Sequence, residues 1–295
     1  MCRSDHPTQS RIVATTAETC RVKSASSLTW IKAEHSKLIQ MAPMTNRASF
    51  DSFARSTFGI EPGSPIGARL ESLATRMELP KGDSADLEKD ADQIVFIGRG
   101  ATKLVLHASN DREQIVAFHF VGDIVSVPAE RHFASSLTSI SDSELLVFPA
   151  REFFDHAVGD ARVSRSLLDR LPAALHRCRD RAVALGKGTA LERLSGFFLA
   201  MAERIGRTEG NRSELDLPMS RREIGESLGL TIETVSRQFG VLRELGLIET
   251  SGRSKVTLLK LDSLSEHAGY FQQTTNYSVS PQNLISINVG VEQLA

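Results

Sequence analysis

The sequence predicts an α+β protein: an antiparallel β barrel of jelly-roll type, then a long helix, then a small helical unit closed by a β hairpin. Three observations carry this. Short apolar runs at 94–97, 104–107, 115–120, 124–127, 137–140 and 145–148 alternate with turn residues, the mark of an antiparallel sandwich or barrel. From Val163 the apolar period becomes helical for about 25 residues. Around Gly229, two short helices with their own N-terminal caps meet at one glycine. A length of 295 residues suggests about two domains. With 41% hydrophobic and 24% charged residues the chain is not wholly disordered, because it can build a core. No run approaches the roughly 18 apolar residues of a membrane span, so no membrane partner is expected. The formal net charge of -1 excludes a uniformly basic coat for nucleic acid. It leaves room for a local basic face.

Residues 1–47 read as a disordered extension or a start assigned too early, since Met41 and Met44 lie just before the ordered pattern. The tail, 270–295, is polar and aperiodic and is expected to be flexible. Helical patches are expected at 50–58 and 68–77, separated by the breakers Pro62, Gly63 and Pro65. The barrel then occupies the rest of 48–158, with a hairpin tip at Ser109-Asn110-Asp111 and a tight turn at Gly98-Arg99-Gly100.

Over 160–186, Val163, Leu167, Leu171, Leu175, Cys178, Ala182 and Leu185 advance by four or three residues. They form one narrow seam with Arg and Asp on the other faces. That is the pattern of a two-stranded coiled coil, and a homodimer is the expected assembly. A long helix packed on its own domain would show the same stripe. Pro172 is expected to kink or interrupt the helix, and Gly186 and Gly188 to end it. A further amphipathic helix opens at Thr189 and closes near Gly206, with Leu191, Leu194, Phe197, Phe198, Met201 and Ala202 inward. The charged stretch 207–214 reads as a loop.

The segment 188–265 carries the clearest chemistry. Ser220 and Glu223 stand in capping-box register and start a helix that Gly229 stops. Thr231 caps a second helix at once, whose buried stripe is Ile232, Val235, Phe239 and Leu242. Two short helices joined at a glycine turn make a helix-turn-helix. Glu233, Ser236 and Arg237 share one face in the first two turns of the second helix. Arg237 suits guanine O6 and N7, Glu233 suits cytosine N4, and Ser236 permits close approach. A solvated Glu–Arg pair would look the same in isolation, but the capped helix and glycine turn before it favour base reading. Residues 248–259 then read as two strands with a glycine tip, a wing whose Arg253 and Lys255 suit phosphates. Arg222, Thr231 and Thr234 are further backbone-contact candidates, whereas Gln238 reads as ordinary surface.

Over residues 48–265 the chain resembles the Crp/Fnr family of transcriptional regulators. The most specific matches are Ala182-Val183-Ala184-Leu185-Gly186-Lys187-Gly188-Thr189-Ala190-Leu191-Glu192-Arg193-Leu194, at the hinge, and Thr231-Ile232-Glu233-Thr234-Val235-Ser236-Arg237. The Glu-x-x-Ser-Arg pattern is similar to the Fnr/FixK branch, whose members read TTGA-type half-sites in a palindrome. The resemblance implies a cyclic-nucleotide-binding-like barrel, a dimerisation helix and a winged helix-turn-helix. It implies double-stranded DNA, a second copy of the chain and RNA polymerase as partners, activator function, and a cytoplasmic location. No nucleophile elbow, P-loop, HExxH or paired-carboxylate pattern points to an enzyme. The alternative is a cyclic-nucleotide- or haem-binding signalling module acting through a protein partner.

The sensory half departs from its relatives' cassettes. Cyclic-nucleotide binders of the family carry Gly-Glu-Leu followed by Arg-Ser or Arg-Thr. Here Gly122-Asp123-Ile124 is followed by Arg131-His132, with an aspartate for the glutamate and no Arg-Ser pair. Cys2, Cys20 and Cys178 are three thiols, badly spaced, where an iron–sulfur cluster needs four ligands. Haem would need an axial ligand, for which His107, His119 and His132 are available. The residues argue against a cluster and leave haem and cyclic nucleotide as alternatives to a barrel with no resident ligand. Such a barrel would be governed by abundance, by Cys178 oxidation or by an upstream signal. Cys178 itself is read as a seam residue.

Overall fold

The computed structural model describes residues 42–43, 47–108, 112–129 and 134–269. The expected tip at Ser109-Asn110-Asp111, the Arg131-His132 pair, Cys2, Cys20, the tail from 270 and most of the N-terminal extension lie outside the described residues. Within that extension, strand β1 (Ala42–Pro43) pairs antiparallel with Thr75 and Arg76. Helix α1 (Arg47–Ser52) runs into a π-helical turn, Phe53–Thr57. Helix α2 (Pro65–Leu73) starts at Ser64, whose hydroxyl accepts from the Gly67 amide, with proline at the first helical position where a missing N–H costs nothing.

The expectation of one helix over 68–77 is corrected here. The helix stops at Leu73, and Thr75–Leu79 forms β2, with Met77 and Leu79 buried and Glu78 exposed between them. That alternation has period two, and the five residues are too few to outvote the helical pattern beside them.

The barrel strands are β3 (Gln93–Arg99), β4 (Ala101–Ala108), β5 (Arg112–Phe120), β6 (Ile124–Val127), β7 (Ala134–Ser139) and β8 (Ser143–Pro149). They form two antiparallel sheets, ordered β1-β2-β8-β3-β6 and β5-β4-β7. Gly100, at φ +82, makes the turn between β3 and β4, where a side chain would strike the Asp142 carbonyl. The interior between the sheets holds Val95, Ile97, Val125, Leu137, Leu145 and Val147. A second cluster lies on the outer face of the larger sheet. There Phe53 touches Phe50, Phe58, Phe96, Phe148 and Phe153, with ring centroids 4.9 to 6.4 Å apart. Helix α3 (Ala150–Ala157) closes that cluster and leads into the long helix.

Helix α4 (Ala161–Lys187) starts at Asp160, which accepts from the Arg162 and Val163 amides, and ends at Gly188. Pro172, expected to kink or interrupt the helix, lies inside it and does not interrupt it. Leu168, whose carbonyl the proline leaves unpaired, is exposed, so water can take the place of the missing N–H. Helix α5 (Ala190–Ile205) begins with a complete capping box between Thr189 and Glu192.

The stretch 207–214, expected to be a loop, is largely a hairpin. Strands β9 (Arg207–Glu209) and β10 (Arg212–Asp216) turn at Gly210 and join β11 (Ile248–Ser251) and β12 (Lys255–Leu258), the wing, in one sheet ordered β11-β12-β10-β9. Ser213 and Leu215 are buried while their charged neighbours face out. The charges on one face hid the strand from a composition argument. A third core joins this unit to the barrel's three-stranded sheet, with Phe118 and Phe197 edge-to-face at 6.2 Å.

Candidate nucleic-acid interface

Helix α6 (Arg221–Leu228) opens with reciprocal bonds: the Ser220 hydroxyl accepts from the Glu223 amide, and the Glu223 carboxylate accepts from the Ser220 amide at 2.8 Å. Gly229 ends it in the left-handed region, φ 65 and ψ 38, and donates to the Gly225 carbonyl. Thr231 then caps helix α7 (Ile232–Glu244), its hydroxyl accepting from the Thr234 amide at 3.2 Å. Gly225, unremarked in the sequence, lets the two helices cross closely. A Cβ there would lie 2.6 Å from the Leu230 carbonyl oxygen.

Val235, Phe239 and Leu242 are buried, which anchors α7. Ile232 is 41% exposed and is not part of that stripe, a correction to the expected four-residue face. As the first residue of the helix it lies beyond the packed edge. Phe198 meets Phe239 edge-to-face at 5.2 Å, and the Arg221 guanidinium stacks over the same Phe239 ring at 4.5 Å. The spacing of Arg221 to Phe239 gives no hint of that contact.

Glu233 and Arg237 are exposed on the outer face of α7, with Ser236 half-buried between them. The Glu233 carboxyl is held below the usual carboxylate range by its own backbone N–H, by the Thr231 hydroxyl and by the Arg237 and Arg222 cations. It therefore stands on this face as an ionised acceptor. Arg222 is exposed. Thr231 is exposed and Thr234 half-buried, with their hydroxyls 3.1 Å apart. Gln238 is half-buried. The wing consists of β11 (Ile248–Ser251) and β12 (Lys255–Leu258), with Gly252 at φ +65 in the tip and Arg253 and Lys255 exposed beside it. Helix α8 (Leu261–His267) packs Leu264 under this unit.

The seam residues on α4 divide into groups. Val163 is fully buried against the phenylalanine cluster of its own chain, and Leu167 packs against the same cluster. Val163 is therefore not available to a partner, which corrects its assignment to the seam: the first turn of α4 is held by the barrel. Leu168 and Leu171 are each 60% exposed and Leu175 51%, and Cys178 and Ala182 are also exposed. Leu185 is half-buried. Leu168 was missed in the sequence. The 3-4-3-4 spacing 168, 171, 175, 178, 182 is the signal that would have found it.

In the barrel, His107 is hydrogen-bonded to Ser136 at 2.9 Å and lies 3.3 Å from Glu113. Asp123, which stands where cyclic-nucleotide binders carry glutamate, accepts from the Phe120 amide and from Arg204 of α5. Among the described residues no group of three His, Cys, Asp or Glu side chains could hold a metal ion, and no helix is long and apolar enough to cross a membrane.

Residues 192–267 match the Crp-like helix-turn-helix domain. A probable transcriptional activator of Rhizobium leguminosarum is 35% identical over 57% of this chain and 70% of its own. The nitrogen fixation regulation protein FixK of Rhizobium meliloti is 30% identical over 59% of this chain and 77% of its own. The solved structure of FixK2 from Bradyrhizobium japonicum aligns with TM-score 0.56 and 30% identity, over 65% of this chain and 96% of that one. A capped helix-turn-helix with an exposed polar face, a basic wing and an antiparallel barrel thus coincides with this kinship, and the chain belongs to the Crp/Fnr family, DNA-binding transcription regulators rather than enzymes.

Proposed function

We propose that the protein binds a palindromic TTGA-type site as a homodimer and activates transcription from it in the cytoplasm, with RNA polymerase as its further partner. Glu233, Ser236 and Arg237 read base edges. Arg222, Thr231, Thr234, Arg253 and Lys255 meet the sugar-phosphate backbone. Leu168, Leu171, Leu175, Cys178 and Ala182 form the dimer seam, which places the two recognition helices about 34 Å apart, one turn of duplex. The observation that carries this reading is the outward face of α7. Its first two turns hold an ionised acceptor, a small hydroxyl and an exposed guanidinium on a helix anchored by three buried residues. We further propose that the barrel holds no resident haem, cluster or cyclic nucleotide. The engagement of Asp123 by Arg204 and of His107 by Ser136 and Glu113 supports this. The absorption spectrum and metal content of anaerobically purified protein test it.

A gel shift on the palindrome and on a scrambled duplex tests the DNA reading. Arg237→Ala lowers affinity for the palindrome by about 5- to 150-fold, as loss of a bidentate base contact worth roughly 1–3 kcal/mol requires, and leaves the scrambled duplex nearly unaffected. Lys255→Ala weakens both alike and lowers the salt slope by about one. Equal losses on both duplexes in Arg237→Ala would overturn base reading.

A further inference from the structure

The C-terminal turn of α6 has its carbonyls taken up by three separate parts of the molecule. The Glu226 carbonyl accepts from the Gln114 side-chain amide of β5 at 2.6 Å. The Ser227 carbonyl accepts from the Arg181 guanidinium of α4 at 2.5 Å. The Leu228 carbonyl accepts from the Arg193 guanidinium of α5 at 3.0 Å. These are the carbonyls a helix end leaves without an internal partner, and the negative end of the helix dipole favours cations there. Among the described residues, the other hydrogen bonds of Arg193 stay within its own hinge, to the Gly188 and Leu185 carbonyls. Arg181 reaches further. The same guanidinium nitrogen donates to the Ile115 carbonyl of β5 at 2.5 Å, beside the register shift where Leu104 faces Ala117 but Val105 faces Ile115. A second tether runs parallel to it, from Lys103 of β4 to Glu223 of α6 at 3.0 Å.

We infer that Arg181 is a positioning residue for DNA reading: it sets the angle of the recognition helix against the barrel and the dimer helix. The inference rests on the proposal that α7 reads DNA. The turn between α6 and α7 is short and stiff, with Gly229 in its left-handed conformation and Gly225 tight against Leu230. What orients the end of α6 therefore orients α7. Arg237 lies about 9 Å beyond the Thr231 cap. A tilt of about 10° at the turn moves it by roughly 1.5 Å, far outside the tolerance of a bidentate hydrogen bond. The reading face stays exposed in this pose, so the contact holds α7 ready to bind rather than hiding it.

The test uses the full-length protein with Cys2→Ser, Cys20→Ser and Cys178→Ser, spin-labelled at Arg151→Cys on α3, which packs on the barrel, and at Glu244→Cys on α7. It compares Arg181 with Arg181→Ala and Arg181→Lys. In Arg181→Ala the distance distribution between the labels broadens. Affinity for the palindrome falls about tenfold, the equivalent of one lost charge-assisted hydrogen bond, while affinity for a scrambled duplex is unchanged. Arg181→Lys recovers most of the loss, because an ammonium can still donate to both carbonyls. Gln114→Ala, which removes the neighbouring donor without touching the dimer helix, shifts both readouts the same way by about threefold, and it decides the matter if Arg181→Ala does not fold. An unchanged distance distribution, or tighter binding to the palindrome, overturns the inference. If the unsubstituted protein shows no preference for the palindrome, the proposed DNA reading fails, and the distance measurement still decides the positioning role.

Discussion

Acid should loosen the contact between the barrel and α5 through one side chain, His119. Its ring is 15% exposed, and its Nδ1 lies 4.0 Å from Asp123. Its Nε2 has no hydrogen-bond partner among the described residues. Burial is the main reason its pKa drops from the ordinary 6.5 to about 4; Asp123 pulls it up, while the Arg204 and Arg177 cations push it down. The folded protein thus holds the ring neutral over a range where the unfolded chain takes up a proton. Stability from this group is complete above pH 6.5 and declines as pH falls toward 4. Linkage between those two values amounts to about 2 kcal/mol at pH 5 and about 0.2 kcal/mol at pH 7. For a chain of this size, 2 kcal/mol corresponds to roughly 4–8 °C in melting temperature. His119→Gln keeps a polar side chain of similar volume that does not titrate. Thermal unfolding of both proteins from pH 7 to pH 5 should show the native protein losing that many degrees more than the variant, since every other titrating group is shared. Parallel pH profiles for the two would refute the claim that His119 is buried uncharged beside two arginines.

Three further outcomes follow from the packing. Leu175→Asp places a charge in the exposed stripe of α4 and should give monomers in sedimentation with the fold intact, because that side chain is already half in solvent within one chain. Phe53→Ala removes the ring that five other phenylalanines touch and should cost about 3–5 kcal/mol, read from the urea midpoint of unfolding. Gly225→Ala forces a methyl to within 2.6 Å of the Leu230 carbonyl oxygen and should cost about 1–3 kcal/mol, with palindrome binding lost before overall helicity changes in circular dichroism.

The parts of this fold legible in the sequence are those set by local chemistry. Ser220 with Glu223, Gly229 and Thr231 specify caps and a left-handed turn within a few residues of themselves, and the structure has each where the sequence puts it. The six apolar runs of the barrel became β3 to β8 because hydrophobic alternation and turn residues act at short range. What escaped depends on distant partners. Strand β2 is held by pairing with β8, from Thr75 opposite Val147 to Leu79 opposite Ser143, and carries little signal of its own. Strand β10 exists because β12 lies beside it. The placement of Glu233, Ser236 and Arg237 on one face follows from helix geometry alone. The stacking of Arg221 on Phe239 and the taking of the Ser227 carbonyl by Arg181 required the tertiary structure.

The long helix shows how one apolar stripe can serve different surfaces in turn. Residues four apart on an α-helix are rotated by about 40°, so Val163, Leu167, Leu171 and Leu175 sweep roughly 120° around the axis and cannot share a flat face. Val163 and Leu167 accordingly meet the phenylalanine cluster of the barrel, while Leu171 and Leu175 face solvent. From Leu168 onward the spacing alternates between three and four, averaging 3.5, and the stripe runs nearly parallel to the axis as far as Ala182. That stretch is the part able to meet a second helix. Just past its middle turns the helix passes to its third surface: Arg181 reaches both β5 and α6, and the Leu185 carbonyl accepts from Arg193. Val163 and Arg181 are about 27 Å apart along one uninterrupted helix. One rigid element thus joins the barrel cluster at Val163 to the Ser227 carbonyl at the end of α6.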